Sequence, residues 1–404
     1  MIEELPRWRR ITDTVVRSVL PVVLALVVAG LIIAAMGSNP LDFFAGVWKY
    51  GVTGNNWQDS LRLMAPLMII ALGLIVAFRG QLWNLGYNGT FLLGSVVAAG
   101  AGPVLFPILP GWLVTAVIIV GALLIGAIWS IVPAVLKARF GTNEIITSLV
   151  MSFIAIGVVN LLIKGPLHDP NPRVTAPQTA TIDRADLLPF FGGTRVHVGF
   201  LVAIALALVA QFVISRTSFG VRLDVFGASP KAAQHVGISR SWMIVLLFSL
   251  SGALIALAGT IDVLGNVTYM RANWNPGYGD AILPFVFLAR LSPLGAIPLV
   301  AFYSVFANGG INAARSVGLS SDFLLVVVGL ILVFMTITEY VGDKRRLGQS
   351  YLPAGMKQSV MSLFGPRTTA TTRVPSSPEK ATTPPEKVST TKTTATRAPG
   401  KVTT

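Results

Sequence analysis

An all-α, polytopic membrane protein is the fold class this sequence predicts, and three observations predict it. Hydrophobic residues make up 53% of the 404 residues and charged residues only 12%, too apolar for a soluble domain that needs a polar surface. Apolar runs long enough to cross a bilayer recur along the chain, with two interrupted stretches among them. Lys and Arg gather at alternate ends of these runs, as they do in cytoplasmic loops. The formal net charge of +14 raises nucleic acid as a partner. The basic residues, however, flank apolar runs and fill the C-terminal tail without forming an aromatic-interleaved basic face, so the reading is no nucleic acid. Cysteine is absent, which excludes disulfides and thiolate metal ligands. His168, His197 and His235 are too scattered for a metal site.

Arg7, Arg9, Arg10 and Arg17 accompany residues 1–18, a cytoplasmic N-terminal segment. The apolar run 19–36 that follows is longer than a signal-peptide core and lacks a small-x-small cleavage site, so it reads as an uncleaved first span. Residues 41–59, with Trp48, Tyr50 and Trp57, read as an interfacial outer loop whose aromatics sit at headgroup level. Span 61–78 returns inward to Arg79. In QLWNLGYNGT, Asn84, Gly86, Asn88 and Gly89 interrupt what would otherwise be one apolar helix. Irregular backbone at membrane depth must be buried in protein or line a wet cavity, which makes these four residues pathway candidates; a plain loop between closely packed spans is the alternative.

Span 113–136 ends at Lys137 and Arg139, hence inside. Asn143 and Glu144 open the next span, 145–163, which carries Ser152. An acid at a membrane entry is a candidate ion site, although the helix dipole alone accounts for one there. Residues 164–196 are rich in proline with both charge signs and are read as an external loop, a docking surface for an outer partner. Residues 216–240, after span 198–214, carry Arg216, Arg222, Lys231 and Arg240 against Asp224 and are read as cytoplasmic. Within them Ser229 is a good N-cap, Pro230 suits a first helical turn, and Gly237 ends a short helix over 231–236. The alternative here is a solvated connector.

Beyond span 242–261, the apolar stretch 281–308 is broken at Arg290, Pro293 and Gly295. Its first limb is only about 13.5 Å of helix, less than half a bilayer. With 323–340 as the last span, the passes are ten: 19–36, 61–78, 85–101, 113–136, 145–163, 198–214, 242–261, 281–290, 294–308 and 323–340. Both termini then lie in the cytoplasm. The two interruptions, near Asn84 and near Arg290, fall in different halves of the chain, the pattern of a midplane pathway in transporters built from repeats. Residues 19–345 thus form a transmembrane domain, and 366–404, rich in Thr, Pro, Lys and Arg, a disordered basic cytoplasmic tail drawn to anionic membrane lipid. No phosphate loop, HExxH or GxSxG occurs, so a transporter of this kind that uses nucleotide must obtain its motor from a partner.

Four stretches resemble the membrane permeases of ABC importers in the branched-chain amino acid, ribose and nucleoside (simple sugar) group. AFRGQLWNLGYNGTFLLG is similar to a family stretch through Asn84, Gly86 and Gly89. GTNEIITSLVMSFIA is similar through Asn143, Glu144, Ile146 and Thr147. FGASPKAAQHVGIS resembles the ATPase-coupling loop through Gly227, Ala232, Ala233, Gly237 and Ile238, which encloses Ser229 and Pro230. GYGDAILPFVFLARLSPLGAIP is similar to a further region of the family. The resemblance implies a permease working beside a second copy or paralogue, with cytoplasmic ABC ATPase subunits that consume the ATP and an extracytoplasmic solute-binding protein. It further implies that this chain binds no cofactor and hydrolyses nothing, in the cytoplasmic membrane, and that its cargo is a simple sugar or nucleoside. Asn88, Thr90 and Ser152 depart from the polar residues usual in the sugar and nucleoside members, which bears on the cargo. An ion-coupled secondary carrier of a small solute is the alternative from another class.

Overall fold

The computed structural model describes residues 7–171, 173–320 and 322–346, so the 366–404 tail expectation and the first six residues lie outside the described residues. The described chain is helical, with isolated β-bridges in its loops. The helices are α1 (Arg7–Ala35), α2 (Pro40–Gly51), α3 (Asn56–Arg79), α4 (Tyr87–Leu105), α5 (Gly111–Phe140), α6 (Glu144–Lys164), α7 (Gly199–Arg216), α8 (Ser218–Ala228), α9 (Pro230–His235), α10 (Arg240–Asp262), α11 (Tyr278–Leu288), α12 (Pro293–Ser316) and α13 (Phe323–Arg346). Among the described residues nine helices are long and apolar enough to cross a membrane, and α11 is a tenth, shorter apolar helix. This is an all-α polytopic membrane protein.

The spans sort by how much of their surface other helices cover. α3 and α10 are the centre, 83% and 72% buried over their apolar windows, whereas α6, α7 and α13 are each 22% buried and turn most of their apolar surface outward. Uniformly apolar helices suit both places, because lipid tails are as apolar as a core. The centre closes through small residues: a Cβ on Gly126 of α5 would collide with the Gly252 carbonyl of α10, so the two backbones cross in direct contact.

Helix α3 connects the two ends of the bundle. At its C-terminal end Arg79 pairs with Asp224 of α8 at 2.7 Å. At its N-terminal end Asp59 pairs with Arg195 at 2.9 Å, and Arg62 donates to the Gly265 carbonyl at 3.0 Å. Twenty-four residues of helix make about 36 Å, so the loop carrying Arg195 and the α8–α9 loop lie at opposite ends. The first of these, residues 165–198, is laid across the chain after α10 by backbone hydrogen bonds from Thr179 to Met270, Ile182 to Thr268 and Leu188 to Leu264.

Residues 41–59 are not the expected loop. Asn39 caps α2 by accepting from the Leu41 N–H, with Pro40 in the first turn. Phe43 and Val47 are buried, and Phe43 meets Phe306 of α12 and Phe323 at the start of α13 edge-on. Of the aromatics that suggested an interface, Trp48 and Trp57 are exposed and Tyr50 is half-buried, whereas Phe43 on the opposite face of α2 is core. The second limb of the broken stretch also exceeds its expectation, since α12 runs on from 308 to Ser316 as a full-length span.

His197 is fully buried at the Arg195 end, and neither of its ring nitrogens finds a hydrogen-bond partner. Burial, reinforced by the nearby Arg62 charge, lowers its pKa from 6.5 to about 4. The neutral ring is thus favoured in the fold, and the unfolded chain takes up the proton first as pH falls. Stability is fully present above about pH 6.5 and declines toward pH 4, by on the order of 3 kcal/mol at most. The thermal midpoint of the purified protein in detergent should therefore fall across that window, and His197→Gln should flatten the fall.

Candidate functional site

The two interrupted regions meet. After Arg79 the chain leaves α3 and runs without helix through Leu82 to Gly86. Asn84 is buried there, donating to Ser251 Oγ of α10 at 3.1 Å and accepting from the Gly86 N–H at 3.0 Å. Ser251 lies eleven residues into α10, about 16 Å along it, so α4 starts well inside the bundle. From the other side, the chain after α10 passes through one π-helical turn, Val263–Val267, and returns to start α11 at Tyr278. Tyr87 donates its hydroxyl to Asp280 Oδ1 at 2.7 Å, and Asn88 donates its amide to Asp280 Oδ2 at 2.7 Å. The first turns of α4 and α11 are thereby fastened together around one exposed carboxylate. Aromatic rings wall the junction: Phe91 meets Tyr278 edge-on at 5.6 Å and Trp274 at 6.2 Å. Toward the α8–α9 end, Phe78, Trp83 and Phe287 stack within 5.6 Å of one another.

The other pathway candidates divide. Gly86 and Gly89 are buried, and Gly89 packs directly on α6, where its N–H donates to Ser152 Oγ at 2.8 Å. Ser152 therefore holds α6 to α4 and does not face open space. Asn143 caps α6 by accepting from Ile145 at 2.9 Å, and Glu144 is ion-paired with Lys137 at 2.7 Å, which makes this pair the fastening of the α5–α6 turn. Arg290 is exposed in the reversal between α11 and α12, with φ +53 beside Leu291 at +55. That turn lies at the α8–α9 end, since Phe287, one turn earlier, stacks on Phe78 at 5.3 Å. Ile282, Phe285, Val286 and Leu288 are buried core. Asp280 is the residue the sequence reading missed. Its signal was the one used for Glu144, a lone acid opening an apolar helix.

The loop between α7 and α10 forms two helices. α8 is held to the bundle by Arg79–Asp224, and Gly227 is a helical residue pressed on the Arg79 carbonyl. The turn falls at Ser229, whose side chain accepts from the Ala232 N–H, with Pro230 at the first helical position. α9 ends as expected: Gly237 has φ +81, its N–H reaches Gln234, and Ile238 N–H reaches Ala233, the paired closure of a left-handed glycine cap. Ala233, expected at a partner contact, is fully buried against this chain's own residues. Lys231, Ala232, Gln234 and His235 are exposed, and Val236 is 69% exposed. A groove of about 390 Å³ beside them is lined by Ala228, Ser229, Pro230, Lys231, Gln234 and Arg240.

Residues 56–336, which contain both the junction and α9, match the family described as branched-chain amino acid transport system / permease component. The chain belongs to this permease family. The permease is 28% identical over 334 residues to the glucose ABC transporter permease protein TsgB13 of Haloferax volcanii, across 80% of this chain and 87% of the relative. It is 25% identical to the guanosine ABC transporter permease protein NupP of Bacillus subtilis, across 78% and 90%. With the ribose import permease protein RbsC of Escherichia coli it shares 24% identity, across 71% and 86%. Among the described residues of the permease no cluster of His, Asp and Glu could hold a metal ion.

Proposed function

We propose that this permease imports a small, uncharged, polyhydroxylated solute across the cytoplasmic membrane by alternating access, driven by ATP that partner subunits hydrolyse. The observation that carries the reading is α9, a separately capped short helix displayed at one end of the bundle with Ala232, Gln234, His235 and Val236 exposed beside a groove. A cytoplasmic ATPase gripping those residues moves α8 with them, and the Arg79–Asp224 pair passes the movement to α3 at the centre of the bundle. This chain supplies the gate, binds no cofactor and has no ATPase site of its own. A second permease copy or a paralogue completes the membrane part, and a solute-binding protein delivers cargo at the 165–198 end. Glucose, guanosine and ribose, named for the relatives, share adjacent hydroxyl groups, which is the basis for the cargo class. Deleting the gene should abolish uptake of at least one of labelled glucose, ribose or uridine; unchanged uptake of all three would contradict this cargo class.

In this reading both termini and the α8–α9 end face the cytoplasm, in keeping with the basic residues there. Because the chain has no native cysteine, single cysteines report sidedness. Ala185→Cys and Gln234→Cys are both at exposed positions. An impermeant thiol reagent applied to intact cells should label position 185 and spare 234. The reverse pattern would invert the topology.

A further inference from the structure

We propose that Asp280 is the solute-contacting, specificity-determining residue of the pathway, accepting hydrogen bonds from two adjacent hydroxyls of an uncharged solute and turning anions away. The inference rests on the permease reading above and adds the residue that reads the cargo.

Its position is the first consideration. α11 continues about 16 Å from its start toward the α8–α9 end, and α4 about 28 Å from its start toward the other. The carboxylate that joins their first turns is thus remote from both ends of the bundle, yet it is exposed. A carboxyl group at such depth does not face lipid; groups of this kind face a wet cavity or a partner. Dipole stabilisation by α11 accounts for an acid in its first turn, but it gives no reason for two donors from α4 to converge on that acid.

Hydrogen-bond capacity is the second. A carboxylate has about four lone-pair sites on two oxygens. Tyr87 occupies one on Oδ1 and Asn88 one on Oδ2. One acceptor site therefore remains on each oxygen, in an orientation already fixed by the two donors. Two adjacent hydroxyls of a ribose or pyranose ring match two such acceptors on one carboxyl group, and the Trp274 and Tyr278 rings beside the junction are half-buried, offering an apolar wall to a sugar or base face. A phosphate or carboxylate solute would meet like charge at the same place.

The test uses the assembled importer in cells, with labelled uridine, ribose and glucose as probes. Asp280→Asn should reduce uptake of the transported probe about ten- to hundredfold, the loss expected for hydrogen bonds to a charged acceptor, and Asp280→Glu should recover part of it. A merely structural fastening is separated by Leu283→Cys, one turn along α11 on a half-buried position, made with Asp280 intact. A small aqueous thiol reagent should modify that cysteine, the transported probe should slow the modification, and its phosphorylated counterpart should not. Adding Asp280→Asn should leave the modification in place and abolish the slowing. An unreactive cysteine, or slowing that survives Asp280→Asn, would overturn the proposal. If the unsubstituted importer moves none of the probes, the cargo class proposed above falls and takes this inference with it. If uptake is normal in both forms, only the Asp280 assignment falls.

Discussion

Ala232→Glu should leave the chain in the membrane and strip it of its ATPase. Ala232 lies on the exposed edge of α9, outside the spans, and its N–H rather than its side chain makes the Ser229 cap. Glutamate costs the helix little by propensity, so insertion and folding should match the unsubstituted chain. A carboxylate carried into a closed protein contact without a partner commonly costs about 3–5 kcal/mol, enough to lower an association constant by two or more orders of magnitude. Copurification of the ATPase and solute-stimulated ATP hydrolysis should both be lost, together with uptake. Substitution at the neighbouring Ala233 cannot make this distinction, because that side chain is fully buried in the permease itself. If α9 were a solvated connector, Ala232→Glu would behave as an ordinary surface change of about 0.5 kcal/mol or less, and the ATPase would be retained.

Gly89→Leu should cost the chain its folded membrane domain. A Cβ at that position would sit 2.5 Å from the Ser152 carbonyl, 2.6 Å from its Cα and 2.8 Å from Ala155 Cβ. Two of those atoms are backbone and cannot move aside singly. α4 and α6 would have to separate, breaking the Gly89–Ser152 hydrogen bond and withdrawing Tyr87 and Asn88 from Asp280. Overpacking of this kind costs about 1–3 kcal/mol or more. The measurement is the yield of monodisperse protein after detergent extraction and its thermal midpoint. A yield and midpoint equal to those of the unsubstituted chain would contradict the contact between α4 and α6.

Local chemistry was readable in the sequence, and long-range pairing was not. Ser229, Pro230 and Gly237 act within a few residues of themselves, so cap, first turn and stop could be named from the residues alone. The two interruptions were readable for the same reason, since Gly, Asn and Pro disrupt a helix wherever it is packed. That the chain after the first interruption meets the first turn of α11 was not readable, because the contact joins residues about 190 positions apart. Asp280 went unmarked because nothing beside it in the chain reveals that Tyr87 and Asn88 converge on it. Glu144 was marked on the same local pattern, and its partner proved to be Lys137 in an ion pair. Helix α2 was lost to its aromatics: Trp48 and Trp57 suggested an interface, while the Asn39–Pro40 cap and the apolar pair Phe43 and Val47 carried the structural information. Ala233 belongs to the stretch that resembles the coupling loop, and a side chain that small equally suits the tight internal contact it makes.

The central claim is that this permease is driven by ATP and not by an ion gradient. The most direct measurement is uptake of the transported solute into proteoliposomes holding the permease, its ATPase and its binding protein, with either ATP or an imposed proton or sodium gradient as the only energy source. The account predicts accumulation with ATP on the side of α9 and none with either gradient alone. Accumulation driven by a gradient without ATP would contradict it and establish an ion-coupled carrier in its place.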